Sequence, residues 1–213
     1  MKKRFLTLAL LTALAACNRA PANNVADNQA AALPVPPERS AAPPAAVAGN
    51  QQTAMPAGLD CVRNRLTPEQ RRAAAAVAME QGSREDPRFQ PLLQAVNGCG
   101  DELSWSPQKK RLAGMFSISA AGAAGIREEL GGRGVRFDEL DQAILSDGPL
   151  MQAAANGQLG GPVAQQFAVR HAEVIQRMAG GGDLEGELGT RIGNYIAFRA
   201  LAETSASQFG REP

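Results

Sequence analysis

The sequence predicts an all-α fold: a small bundle of about six or seven helices over residues 59–213, preceded by a disordered Ala/Pro-rich linker. Three observations carry this. Helix-start and helix-stop signals follow one another at short intervals after Leu59. Apolar residues in the last third recur at spacings of three, four and seven. Strand signals are almost absent, and only Gly131-Gly132-Arg133-Gly134-Val135-Arg136-Phe137 could hold one short extended piece. Helices joined by short connections pack as a bundle.

Thr67-Pro68-Glu69-Gln70 opens the first helix. Threonine offers an N-cap oxygen, proline sits where no backbone donor is needed, and glutamine at the third position can reach back. The alanine-rich run continues to about Gln81 and is closed by Gly82. Asp86-Pro87 starts a second helix that should stop near Gly98, with Pro91 shifting its first turn. Ser106-Pro107 repeats the cap-then-proline signal and opens a helix through Leu112, Met115 and Phe116. Phe137 to about Leu145 makes a short helix. Gly148-Pro149 precedes another, ended by Asn156-Gly157. Val163, Phe167, Val174, Ile175 and Met178 share one face of a longer helix, stopped by Gly180-Gly181-Gly182. Asp183 caps the last helix, where Leu184, Leu188, Ile192, Tyr195, Ile196 and Phe198 form a broad apolar side.

Residues 18–58 contrast with this. Their alanine and proline, as in Ala30-Ala31-Ala32-Leu33-Pro34-Val35-Pro36-Pro37, show no apolar period. Such a segment has too little to bury to offset its ordering entropy, and proline stiffens it into a semi-extended spacer.

Composition bounds the partners. The part after residue 58 carries 17 Lys+Arg against 19 Asp+Glu, and its one basic run is Lys109-Lys110-Arg111. Nucleic-acid binding requires more clustered positive charge. Two cysteines, Cys61 and Cys99, lie in this part. Three readings are open for them: a disulfide, two buried thiols, or metal ligation. An exported, oxidising context favours the disulfide. With a single histidine in the chain, a four-ligand zinc set is not in prospect. A bridge closing a loop of about 39 residues stabilises by roughly 4 kcal/mol in the chain-entropy picture.

The amino terminus places the chain. Met1-Lys2-Lys3-Arg4 is basic, and Phe5 to Ala16 is apolar but shorter than the roughly 20 residues a bilayer span needs. This is a secretory signal over residues 1–16. Its end, Leu14-Ala15-Ala16-Cys17, resembles the lipobox of bacterial lipoproteins. The resemblance implies cleavage before Cys17 and lipidation of its thiol and new amino group. It also implies retention at the inner membrane when aspartate follows the cysteine. Asn18 stands there instead, so the expected location is the outer membrane, facing the periplasm. The organisation is then 1–16 signal, 17–58 lipidated terminus and linker, and 59–213 helical domain.

Several short patterns invite chemistry. Ser106-Pro107-Gln108-Lys109 resembles the S-x-x-K nucleophile motif of penicillin-binding proteins and class A β-lactamases, and Ser146-Asp147-Gly148 echoes their S-D-N. No K-T-G follows, so Ser106 reads as an N-cap and Lys109 as a solvated side chain. Pro149-Leu150-Met151-Gln152 is similar to the G-L-M-Q segment of lytic transglycosylases, with proline in the place of glycine. Those enzymes use a glutamate in a Glu-Ser pair; the nearest upstream acids here are Glu139 and Asp141. They, Asp138 and Glu128-Glu129 read as solvated helix faces. His171 falls at the edge of an apolar face, which suits packing better than base catalysis. The clusters Gly131-Gly132-Arg133-Gly134 and Gly180-Gly181-Gly182 match no phosphate-binding fingerprint and read as helix joints. Gly186, Gly189, Gly193 and Ala197 make a flat stripe for a close neighbour. Trp105 seals the core or anchors a contact, and Tyr195 is the chain's single tyrosine.

The expectation is therefore a lipid-anchored periplasmic protein with a non-catalytic binding or envelope-assembly role. Its partners are the membrane, through Cys17, and an envelope protein or the cell wall. No catalytic residue, cofactor or metal ligand is assigned. Two other functions stand beside it: a cell-wall hydrolase of lytic-transglycosylase type, and a small-molecule or lipid carrier. The binding role expects no groove with converging titratable groups. The hydrolase requires a carboxylate raised in pKa within a cleft, and the carrier an apolar cavity of a few hundred Å³.

Overall fold

A computed structural model describes residues 55–80, 82–178 and 186–213. The signal, Cys17, nearly all of the linker, the Gly180-Gly181-Gly182 cluster and the Asp183 cap lie outside them. The described part is all-α: nine α-helices and one 3-10 turn, without a strand among the described residues. They are α1 (Leu59–Asn64), α2 (Pro68–Met79), the 3-10 turn Pro87–Phe89, α3 (Gln90–Glu102), α4 (Pro107–Gly131), α5 (Asp138–Ser146), α6 (Gly148–Ala155), α7 (Gly161–Arg170), α8 (Ala172–Met178) and α9 (Glu187–Arg211).

Local chemistry explains most starts. Thr67 forms a full capping box: its hydroxyl accepts from the Gln70 N–H, and the Gln70 amide oxygen accepts from the Thr67 N–H at 2.9 Å. The Asp86 carboxylate caps the 3-10 turn, accepting from the Arg88 N–H at 2.9 Å. Ser106 Oγ accepts from the Lys109 N–H at 3.0 Å and starts α4.

Four expectations change. The helix from Asp86 does not stop at Gly98 but runs to Glu102. Gly98 and Gly100 lie where the Arg65 guanidinium and the Lys110 side chain press on the helix, so they serve close approach rather than termination. The segment Gly131–Phe137 holds no strand: Gly131 ends α4, residues 132–134 form a turn, and 135–137 lead irregularly into α5. The helix expected over Val163–Met178 breaks at His171, whose backbone (φ −113°, ψ 23°) leaves the helical region and divides it into α7 and α8. That break and the short α1 bring the count above seven. Finally, Cys61 and Cys99 lie inside α1 and α3 rather than flanking helices.

The 25-residue helices α4 and α9 are the axis of the domain. They run antiparallel: Arg127 meets Tyr195, and Lys109 meets Glu212. At Gly122 the helices touch, since a Cβ there would lie 2.7 Å from the Phe198 ring. Two apolar clusters form around this axis. One gathers Leu59, Val62, Leu92, Cys99, Trp105, Leu112 and Phe209 from α1–α3, the start of α4 and the end of α9. The other gathers Ile126, Leu130, Leu140, Ile144, Leu150, Phe167, Ile175 and Ile192 around the opposite halves of α4 and α9. Trp105 stacks edge-to-face on Phe209 at 5.0 Å, sealing the first. The Cys61–Cys99 disulfide, with Cα atoms 6.0 Å apart, ties α1 to α3 in the same cluster.

Candidate functional site

Two polar constellations are built into the second cluster. Helix α5 carries Asp141, α4 carries Arg127, and α9 carries Tyr195 and Arg199. The Tyr195 ring is buried against Phe137, centroids 4.4 Å apart. Its hydroxyl donates to Asp141 Oδ1 at 2.6 Å. Arg127 Nη2 donates to Asp141 Oδ2, and Arg127 Nε donates to the Tyr195 oxygen at 3.3 Å. Arg199 Nε lies 3.6 Å from Asp141, and its Nη1 donates to Glu203 at 3.2 Å. Burial first, then the Asp141 carboxylate, raises the Tyr195 phenol above its ordinary range. The hydroxyl is therefore a fixed donor at neutral pH. A groove of about 280 Å³ opens over this network, lined by Phe116, Ala123, Arg127, Asp141, Tyr195 and Arg199.

The second constellation centres on Asp147, whose side chain is 2% exposed. Its Oδ1 accepts from the Leu150 N–H at 2.9 Å, capping α6. Arg170 donates to both oxygens at 2.8 Å, and His171 Nε2 lies 2.9 Å from Oδ2. The ionised carboxylate is acceptor-only, so the imidazole donates through Nε2–H. His171 also stacks on Phe167 at 4.6 Å. Burial opposes ionisation of Asp147, but the bonds from Arg170, the Leu150 N–H and His171 outweigh it and hold the carboxyl below its ordinary range.

On the other flank of α4 lie two smaller grooves of about 130 and 170 Å³. Arg71, Arg72 and Glu128 border the first, Arg72, Met79 and Arg191 the second, and Ala121 and Gly125 form the shared floor.

The residues singled out by sequence fall as follows. Ser106 is a cap. Lys109 is not a free solvated side chain: its Nζ lies 5.1 Å from the Phe209 ring centroid and donates to the Glu212 carbonyl at 2.8 Å. Ser146 Oγ donates to the Ala143 carbonyl, and Ser146 ends α5 beside the cluster opposite Ser106. The S-x-x-K and S-D-G segments therefore serve two helix starts. Leu150 of the Pro149-Leu150-Met151-Gln152 segment is buried in the first turn of α6. Glu139 pairs with Arg177 at 2.9 Å, and Glu129 lies 3.7 Å from Arg191. Asp138 stays exposed, 3.8 Å from Arg127, but Asp141 is drawn into the Tyr195 network rather than solvated. Gly189, Gly193 and Ala197 are buried within the chain itself. Among the described residues no cluster of three or more His, Cys, Asp or Glu is arranged to hold a metal.

Sequence reasoning missed both constellations as units. The Asp147-Gly148-Pro149 run carries a cap signal, but nothing local announces Arg170 and His171 as its partners. Asp141 and Tyr195 lie 54 residues apart. No protein-family model, no curated protein and no solved structure matches this chain.

Proposed function

We propose that this chain is a lipoprotein held at the outer membrane by a lipid on Cys17, facing the periplasm, with its helical domain in a non-catalytic binding or envelope-assembly role. The carrying observation is Leu14-Ala15-Ala16-Cys17 after a basic start and a short apolar run. The Cys61–Cys99 bridge agrees with export, because such bonds persist in oxidising compartments.

One expectation attached to the binding role changes. A groove with converging titratable groups does exist, over Asp141 and Tyr195. Its groups satisfy one another, however. Among the described residues, the carboxylates with displaced pKa values, Glu69, Glu80, Asp86 and Asp147, are displaced downward. A glycosidase general acid needs the opposite sign. The grooves carry arginines at their rims, and two of them, about 130 and 170 Å³, fall well short of the roughly 300–1,000 Å³ of ordinary ligand pockets. That chemistry favours a macromolecular surface over an apolar cargo.

Metabolic labelling with a fatty-acid analogue tests the anchor: wild type takes the label and Cys17→Ser does not. Equal labelling of both sinks it. A photo-crosslinking residue at exposed Ala124, between the grooves, tests the role in living cells. A discrete adduct at Ala124, absent from the same probe at exposed Glu85, supports binding. Release of soluble cell-wall fragments by the purified chain, lost in Asp141→Asn, replaces it with the hydrolase.

A further inference from the structure

The chain holds two Asn-Gly pairs, Asn97-Gly98 and Asn156-Gly157. This dipeptide is chemically reactive, because glycine leaves its own backbone nitrogen open to the preceding side chain. The Gly nitrogen attacks the Asn Cγ, a C–N bond forms, and the side-chain nitrogen departs as ammonia, carrying the displaced proton. Water then opens the five-membered imide at either carbonyl, giving aspartate or, with the chain rerouted through Cβ, isoaspartate. No reagent other than water is consumed. Both asparagines are exposed, so solvent access does not distinguish them.

Backbone environment does. Asn156 is the C-cap of α6 (φ −91°, ψ 0°), and Gly157 follows at φ +67°. The Gly157 N–H donates to the Ala154 carbonyl at 3.1 Å and the Gln158 N–H to the Ala153 carbonyl at 2.8 Å, closing the helix end. Beyond Gly157 and its chain neighbours, no heavy atom lies within 4 Å of the position a Gly157 Cβ would take. Freeing the Gly157 nitrogen and turning the Asn156 ψ disturbs this last turn, and helix ends open at low cost. Asn97 instead lies inside α3, Gln90–Glu102. Gly98 is overlaid by the Arg65 guanidinium, and the next residue, Cys99, is bonded to Cys61. Rotating the Asn97 ψ would break α3 in its middle and pull on the disulfide.

We propose that Asn156 is the deamidation site of the folded protein, and that the fold shields the identical dipeptide at Asn97. Conversion at Asn156 puts a carboxylate at the carbonyl end of α6, where negative charge is unfavourable. Isoaspartate also lengthens the backbone within the bonds that close the helix. Next to it, Gln208 Nε2 of α9 donates to the Ala155 carbonyl at 3.1 Å.

The test uses the purified full-length chain, disulfide intact, held at mildly alkaline pH and sampled by peptide mapping. The amide-to-acid mass change at Asn156 should advance at least about tenfold faster than at Asn97, a gap of about 1.4 kcal/mol in opening cost. After reduction and denaturation the two should convert at similar rates. Asn156→Gln should abolish the change at that position, since the larger ring closes far more slowly. The proposal is overturned if Asn97 keeps pace with Asn156 in the folded chain. It is equally overturned if Asn156 stays intact over a period in which the denatured chain has converted.

Discussion

Asp147 Oδ2 and His171 Nε2 lie 2.9 Å apart, joining the cap of α6 to the residue that breaks α7 from α8. A helix start and a helix interruption 24 residues later are thus satisfied by one buried carboxylate. The break is confined to one residue, since the His171 N–H still donates to the Phe167 carbonyl at 3.0 Å and the His171 carbonyl accepts from the Ile175 N–H at 3.0 Å.

Asp147→Ala should therefore cost about 2–3 kcal/mol. Loss of the cap accounts for about 1 kcal/mol. The charge-assisted bonds add the rest, discounted because Arg170 is 37% exposed. Asp147→Asn keeps the cap oxygen and should cost less. The pH dependence has a definite sign. The folded carboxyl lies below its ordinary value of 3.8, so its contribution is complete above that pH and disappears as pH falls through the folded value. Urea denaturation across this range should show wild type converging on Asp147→Asn in acid. A constant gap between them down to the lowest pH would refute the assignment.

The disulfide closes a separation of 38 residues. Replacing both Cys61 and Cys99 by serine should lower stability by about 4 kcal/mol, and reductant should lower the wild-type melting temperature but not that of the variant. Thiol titration of exported, unreduced protein gives an independent check: reactive thiols at both positions would exclude the bridge.

Ser106 acts through its hydroxyl oxygen on the Lys109 N–H. Ser106→Ala should destabilise by about 0.5–2 kcal/mol, and Ser106→Asp should restore most of this because aspartate also caps. A fluorescent penicillin that labels wild type but not Ser106→Ala would falsify the capping role.

Tyr195→Phe removes one donor from Asp141 and leaves Arg127 and Arg199 in place. The expected loss is about 1–2 kcal/mol. The folded phenol is raised above its ordinary value of 10.0, so its contribution is complete below that pH and is lost as pH climbs toward the folded value. Wild type should therefore lose stability in alkali that Tyr195→Phe does not lose. Parallel alkaline unfolding curves would show that the fold does not raise the phenol.

What the sequence determined by itself is local. The caps at Thr67, Asp86 and Ser106 and the prolines after them each act within one helical turn, so their spacing alone places the helix starts. The apolar period of Leu188, Ile192, Tyr195 and Ile196 marked the buried side of α9 for the same reason. Tertiary structure decided everything that depends on a side chain arriving from elsewhere. Gly82 lies past the end of α2, its N–H bonded to the Val77 carbonyl, whereas Gly98 lies within a continuous helix under Arg65. The two glycines look alike in sequence, because backbone freedom is intrinsic while a close neighbour is not. Likewise Asp141 reads as one of several acids on a polar face, and only the antiparallel pairing of α4 with α9 brings Tyr195 and Arg127 onto it. The Tyr195 ring is buried, and its hydroxyl must find an acceptor from the protein there; the partly exposed Asp141 supplies it.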